Sequence, residues 1–158
     1  MDARKVSDTA VVMPVRMLPQ DANPAGNVHG GVILRQIDLV GGIAATRYAR
    51  SRVVTASIDR VDFLEPVKVG EVMVLKAQVN YVGSTSMEVG VRVEAEDMLS
   101  GETRHAATAY MTFVAMGQDG KPRALPALER ETPEDQRRFS EAEARRHTRR
   151  EERRRERS

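Results

Sequence analysis

The sequence predicts an α+β fold, an antiparallel β-sheet wrapped around one central α-helix in the order β-α-β-β-β-β, with a charged helical tail at the C-terminus. Two patterns and one limit predict it. Apolar residues recur at threes and fours in a single stretch, from Gly30 to about Arg50. Before and after it they follow strand patterns, and one helix followed by a meander favours an antiparallel sheet packed around that helix. A length of 158 residues suits one compact domain with a modest tail.

The elements follow in order. Residues 1–10 are polar and expected to be loosely ordered. Val11, Met13, Val15 and Met17 then alternate with less apolar neighbours, the period-two mark of a half-buried strand. Residues 19–27 are rich in Asp, Asn, Pro and Gly and form a loop. Ile33, Ile37, Val40, Ala44 and Tyr48 share one helical face. Gly41 and Gly42 interrupt that helix at about 1 kcal/mol each relative to Ala. Something is therefore expected to approach its backbone closely.

Residues 53–64 form the next strand, where a parity switch between Ile58 and Val61 predicts a bulge near Asp59 and Arg60. Met73, Leu75, Ala77, Val79 and Tyr81 alternate cleanly, as do Met87, Val89, Val91, Val93 and Ala95. Ser100 and Gly101 mark a hairpin turn. Residues 103–116 are apolar on both parities, a strand buried on both faces, and residues 118–126 close the domain with turn residues. The expected domain is therefore 11–126, between a flexible N-terminus and an Arg-rich extension over 127–158.

Charge and composition narrow the function classes. From Thr132 onward ten Arg stand against seven Asp and Glu, whereas the whole chain is only +2, so the basic character belongs to the extension. Phe139 is its only large apolar side chain from Pro133 on, and Glu134/Arg138, Glu141/Arg145 and Glu151/Arg155 stand at helical i,i+4 spacing. A solvated, partly helical extension is expected. An arm for RNA or an acidic partner is the alternative, weakened by the interspersed acids, and nucleic acid is not an expected partner. The absence of cysteine excludes disulfides, thiolate metal sites and a cysteine nucleophile. No run reaches the roughly 20 apolar residues of a membrane span. With no basic-then-apolar pattern at the N-terminus, a cytoplasmic location is expected.

The chemistry concentrates between Asp21 and Asp38. Gly30 and Gly31 open the helix, where unpaired N–H groups and the positive end of the macrodipole meet solvent. Glycine there admits a carbonyl oxygen, so Gly30 is a candidate oxyanion donor. Asp38 lies two turns on, beside Ile37, Leu39 and Val40. Aliphatic surroundings would make it a stronger base, able to activate water or to attack an acyl carbon itself. Asn23 could hold the water or the acyl group through its side-chain amide.

Gly30 and Asp38 are about 12 Å apart along a helix rising 1.5 Å per residue. A carbonyl held at Gly30 is thus out of reach of Asp38 in the same chain. Two chains with opposed helices would solve this, with Asn23 and Gly30 from one and Asp38 from the other. No G-x-S-x-G elbow is present, and His29, His105 and His147 show no metal-ligand spacing. A thioester suits such a site, because a thiolate with a pKa of about 8.5 leaves without help from an acid.

At these residues the chain resembles the cytosolic long-chain acyl-CoA thioester hydrolase family of hotdog proteins, and the run from Asp21 to Gly31 is especially similar to the N-terminal repeat of its brain-type members. The resemblance runs through Asp21-Ala22-Asn23 to His29-Gly30-Gly31, then Val54-Thr55-Ala56-Ser57-Ile58-Asp59, Asp62-Phe63-Leu64-Glu65-Pro66, Val69-Gly70-Glu71 and Ser84-Thr85-Ser86-Met87-Glu88-Val89. It covers roughly residues 10 to 116.

It implies the hotdog fold and hydrolysis of fatty acyl-CoA to a free acid and coenzyme A. It implies Asn23 and Asp38 as the catalytic Asn and acidic residue, and Gly30 as oxyanion donor. Coenzyme A contacts would fall at Ala56, Ser57, Asp59 and Arg60 and at Gly83, Ser84, Thr85 and Ser86. No metal and no cofactor beyond the substrate's own coenzyme A is implied. The assembly would be a homodimer at minimum, with a trimer of dimers as the larger family form. A non-catalytic acyl-CoA sensor is the alternative, although no DNA-binding helix-turn-helix accompanies the domain. A dehydratase would call for an Asp and His pair, which His29 is poorly placed to supply.

Overall fold

A central helix and the sheet that curls around it organise the chain in the computed structural model, which describes residues 1–158. The elements are β1 (Arg4–Lys5), α1 (Val6–Thr9), β2 (Val11–Arg16), α2 (Gly30–Ala49), β3 (Arg52–Phe63), β4 (Val72–Val82), β5 (Ser86–Glu96), β6 (Thr103–Met116), β7 (Leu128–Glu129) and α3 (Pro133–Arg157). Five strands form one antiparallel sheet in the order β2-β4-β5-β6-β3. The strand between α2 and the meander thus crosses to the far edge, so β2 and β3 are the two edge strands.

The predicted helical face is the one that packs. Ile37, Val40, Ala44 and Tyr48 are fully buried, with Ile33 nearly so. Opposite them lie the inward residues of the sheet, among them Leu75, Val89, Val93 and Met111. Gly41 explains how helix and sheet come so close. A Cβ there would stand 2.9 Å from Met111 Sδ and 3.3 Å from the Phe113 ring. Gly42 faces open space, so only one of the two glycines answers to a close approach. The Tyr48 hydroxyl donates to the Pro126 carbonyl (2.8 Å), and burial pushes its phenol up to about 12.

β3 departs from regular pairing twice, between Thr55 and Ser57 and between Ile58 and Arg60. The second irregularity is the predicted bulge. The first was not foreseen, and together they leave Ala56 and Asp59 out of the ladder with β6.

Both chain ends differ from expectation. Residues 4–9 are not loose: β1 pairs in parallel with β7, and Val6 and Thr9 are buried against the core. Burial of Leu125 and Leu128 likewise carries the core past residue 126. The extension is one long helix, capped by Thr132 Oγ1, which accepts from the Asp135 N–H (3.0 Å). It is docked rather than solvated along its first half. Phe139 stacks on Tyr81 with ring centroids 4.8 Å apart, and Ala142 is buried. Arg145 pairs with the buried Glu88 of β5 (2.6 Å) and lies 3.7 Å over the Tyr110 ring. Of the expected i,i+4 pairs only Glu134–Arg138 forms, at 3.4 Å: Arg145 is drawn to the sheet, and Glu151 pairs with Arg154 instead (3.6 Å).

Candidate active site

The loop before α2 is shaped by Asn23. Its side-chain Oδ1 accepts from the backbone N–H of Ala25 (3.0 Å) and of Asn27 (3.1 Å), folding residues 23–27 into a tight turn. The Asn23 N–H donates to the Asn27 carbonyl (2.7 Å), and the His29 N–H to that of Asp21 (2.9 Å). The Val28 N–H donates to the Val67 carbonyl (2.7 Å), anchoring the loop to the segment before β4. With Oδ1 occupied, the Asn23 amide N–H₂ makes no hydrogen bond within the chain and is a free donor.

That loop delivers the start of α2. His29 is the N-cap, but its side chain makes no capping bond. The Val32 N–H turns back to the His29 carbonyl (3.0 Å), whereas neither the Gly30 nor the Gly31 N–H donates to an acceptor in the chain. Two adjacent free donors at a helix N-terminus form a place for a developing negative charge. The Phe63 ring stands 3.7 Å from where a Gly30 Cβ would be, walling one side.

Asp38 is exposed in the single chain rather than buried among aliphatics. Its neighbours Ile37 and Val40 turn into the core, which leaves Asp38 on the opposite helix face with Leu39. What holds it is Thr55 of β3, whose Oγ1–H donates to Asp38 Oδ1 (2.8 Å). Sequence reasoning assigned Thr55 no part. The only signal was its place inside a family-like run, since a threonine in a strand is ordinary.

The structure thus joins Thr55 to Asp38 about two helical turns along α2 from Gly30, and sets Asn23 in the loop that leads to Gly30. A cavity of ≈660 Å³ opens at the other end of that helix beside Arg50, Ser51 and Gly117, and takes in none of these four residues. Exposed apolar side chains occur instead along α2, at Leu39 and Ile43, and along the edge strand β3, at Val54, Ile58 and Phe63.

The residues expected to contact coenzyme A fall in two places. Ala56, Ser57, Asp59 and Arg60 occupy the two irregularities of β3, where Ser57 Oγ donates to Asp59 Oδ1 (3.1 Å) and Arg60 pairs with Asp62 (3.0 Å). Gly83, Ser84, Thr85 and Ser86 form the β4–β5 turn, closed by the Gly83 N–H on the Ser86 carbonyl (2.8 Å). No three His, Asp or Glu side chains gather as a metal-binding group.

Residues 25–102 match the model of the thioesterase superfamily. An uncharacterized acyl-CoA thioester hydrolase of Bacillus subtilis (strain 168), YkhA, is 39% identical over 134 residues, covering 85% of this chain and 78% of that protein. A Staphylococcus aureus acyl-CoA hydrolase solved with butyryl coenzyme A, coenzyme A and coenzyme A disulfide superposes with a TM-score of 0.89 at 35% identity, over 98% of this chain and 93% of that one. Structures of the same enzyme exist with an Asp, a Thr or an Asn replaced by Ala. A hexameric acyl-CoA thioesterase superposes with a TM-score of 0.93 at 36% identity, over 96% of this chain and 97% of that one.

Proposed function

The chain belongs to the thioesterase superfamily, as an acyl-CoA thioester hydrolase of the hotdog fold, and from that premise we infer that Asp38, held by Thr55, drives attack on a thioester carbonyl bound at Gly30 of a second copy. The observation that carries this reading is the Thr55–Asp38 hydrogen bond. It occupies Oδ1 and leaves Oδ2 to take a proton from water. The hydroxide so formed adds to the acyl carbon, and the carbonyl oxygen becomes an oxyanion facing the Gly30 N–H. Collapse of this adduct breaks the C–S bond and releases the fatty acid and the coenzyme A thiolate. Asn23, with its free amide N–H₂, orients the water or the thioester.

Two further observations support the assignment. The three positions replaced in the S. aureus enzyme stand at the same separations from one another as Asn23, Asp38 and Thr55 do here. The exposed apolar side chains of α2 and β3 accompany an unpaired strand edge, a ready-made interface for a second copy. On this reading the working unit is a homodimer, and three such dimers would make the hexamer that several neighbours form. The coenzyme A portion lies along Ala56–Arg60 and Gly83–Ser86. No helix of the chain is long and apolar enough to cross a membrane.

Release of coenzyme A, followed with a thiol reagent, tests the reading. Asp38→Asn is expected to lower kcat by at least about 100-fold. Thr55→Val should lower it about tenfold, and Thr55→Ser should restore it, because the hydroxyl is the working group. An Asp38→Asn variant as fast as the parent protein would remove Asp38 from the mechanism. Tight binding of acyl-CoA by the parent protein with no thiol release would favour the sensor.

A further inference from the structure

The face of α3 that packs on the sheet continues past it and changes character. Phe139 and Ala142 fill that face where the helix crosses the strands. Arg146, Arg150, Arg153 and Arg157 continue it at steps of four, three and four residues, one stripe of a helix. Arg146 still touches the body of the protein. Its Nη1 donates to the Tyr81 hydroxyl (2.6 Å), and its guanidinium lies 3.4 Å from where a Gly83 Cβ would be. One turn further, Arg149 pairs with Asp59 of the β3 bulge. Beyond that point Arg150, Arg153, Arg154 and Arg157 alone line a recess of ≈300 Å³.

This stripe is not neutralised within the chain. None of Arg146, Arg150, Arg153 and Arg157 makes an ion pair, and Arg154 has only a 3.6 Å pair with Glu151. By contrast, Arg137, Arg138 and Arg145, nearer the start of α3, are all matched to carboxylates. Four unmatched guanidinia over about 16 Å of helix repel one another and attract multivalent anions.

Their position says which anion. The stripe starts at the β4–β5 turn and its neighbour Arg149 grips the β3 bulge, the two segments that the proposed function assigns to coenzyme A. We propose that the stripe from Arg146 to Arg157 receives the phosphates of the substrate's coenzyme A portion, so that α3 extends the binding site beyond the sheet. Coenzyme A carries a pyrophosphate and a ribose phosphate at the end remote from the thioester. Guanidinium groups match such oxygens in paired, charge-assisted hydrogen bonds. The acyl end is thereby left to the Gly30 and Asp38 region. This inference rests on acyl-CoA being the substrate.

The test compares two thioesters with the same acyl group, acyl-CoA and acyl-pantetheine, which lacks every phosphate. In the triple variant R150Q/R153Q/R157Q the KM for acyl-CoA is expected to rise about tenfold at unchanged kcat, with a shallower salt dependence. The constants for acyl-pantetheine should not move, and R150K/R153K/R157K should recover most of the loss. An unchanged KM for acyl-CoA, or an equal rise for both substrates, would overturn the proposal. Calorimetric titration with adenosine 3′,5′-bisphosphate reads the stripe without turnover. Weaker binding by the triple variant supports the stripe even where thioester hydrolysis, and with it the proposed function, fails. Equal binding, with loss of affinity for a single-stranded RNA probe instead, would assign the stripe to nucleic acid and defeat the proposal.

Discussion

At the scale of single residues, the site depends on a carboxylate that does no chemistry. Glu71 accepts from both terminal nitrogens of Arg104 (2.8 Å each) and from the Lys68 N–H (2.8 Å). Arg104 also donates to the Pro66 carbonyl (3.0 Å), so the pair fixes residues 66–71, which in turn hold the loop before α2 through Val67. The Arg104 hydrogen bonds hold the Glu71 carboxyl below the usual glutamate range. A carboxyl lowered in the folded state contributes stability that is complete above its unfolded value and is lost as pH falls through the folded one. Stability against urea should therefore decline on acidification from pH 6 to pH 3, and Glu71→Gln should flatten that decline while lowering stability at pH 6. Parallel pH profiles for the two proteins would show that Glu71 has no such part. Thr55 teaches a related lesson about residues. Its hydroxyl matters because of where β3 runs relative to α2, and the sequence around it carries no mark of that.

At the scale of elements, legibility follows from how local the cause is. α2 and the four long strands are written in apolar periodicity, and even the bulge at Asp59 shows as a parity switch. β1 is two residues paired with Leu128 and Glu129 at the other end of the chain, a contact that no local pattern encodes. α3 was legible as a helix but not as a docked one. Its sheet-facing side has one aromatic and one alanine, and the attachment is made by charge. Glu88 is 3% exposed and receives Arg145 through Nε (3.1 Å) and Nη2 (2.6 Å), together with the Asn80 amide (3.2 Å). Breaking one side of such a pair leaves a buried charge uncompensated, a loss of about 3–5 kcal/mol, whereas replacing both with apolar groups of similar size is often close to neutral. Arg145→Met should thus destabilise the protein severely, and Glu88→Met with Arg145→Met should restore most of it, as read by urea unfolding. A single variant as stable as the parent would mean that the clasp does not hold α3.

At the scale of the molecule, the proposed function calls for a site shared between two chains. Asn23 and the free Gly30 N–H stand at one end of α2, Asp38 and Thr55 about two turns along it, and the apolar surface between Leu39, Ile43, Val54 and Phe63 is uncovered. A second copy related by a two-fold axis would cover that surface and bring each Asp38 to the other chain's Gly30. Mixing two inactive variants separates this from a site within one chain. In a hybrid dimer of Asp38→Asn with Asn23→Ala, one composite site takes Asn23 and Gly30 from the first chain and Asp38 from the second, and is intact, while the other carries both lesions. Half of randomly mixed dimers are hybrids with one working site each, so about a quarter of parental activity should return on refolding equal amounts together. Were each site built from a single chain, every chain in the mixture would carry a lesion and no activity would return. The same logic predicts that Leu39→Glu with Ile43→Glu, both on the exposed face of α2, yields a folded monomer by light scattering that releases no coenzyme A. A dimer that persisted and hydrolysed normally would place the interface elsewhere and return both halves of the chemistry to one chain.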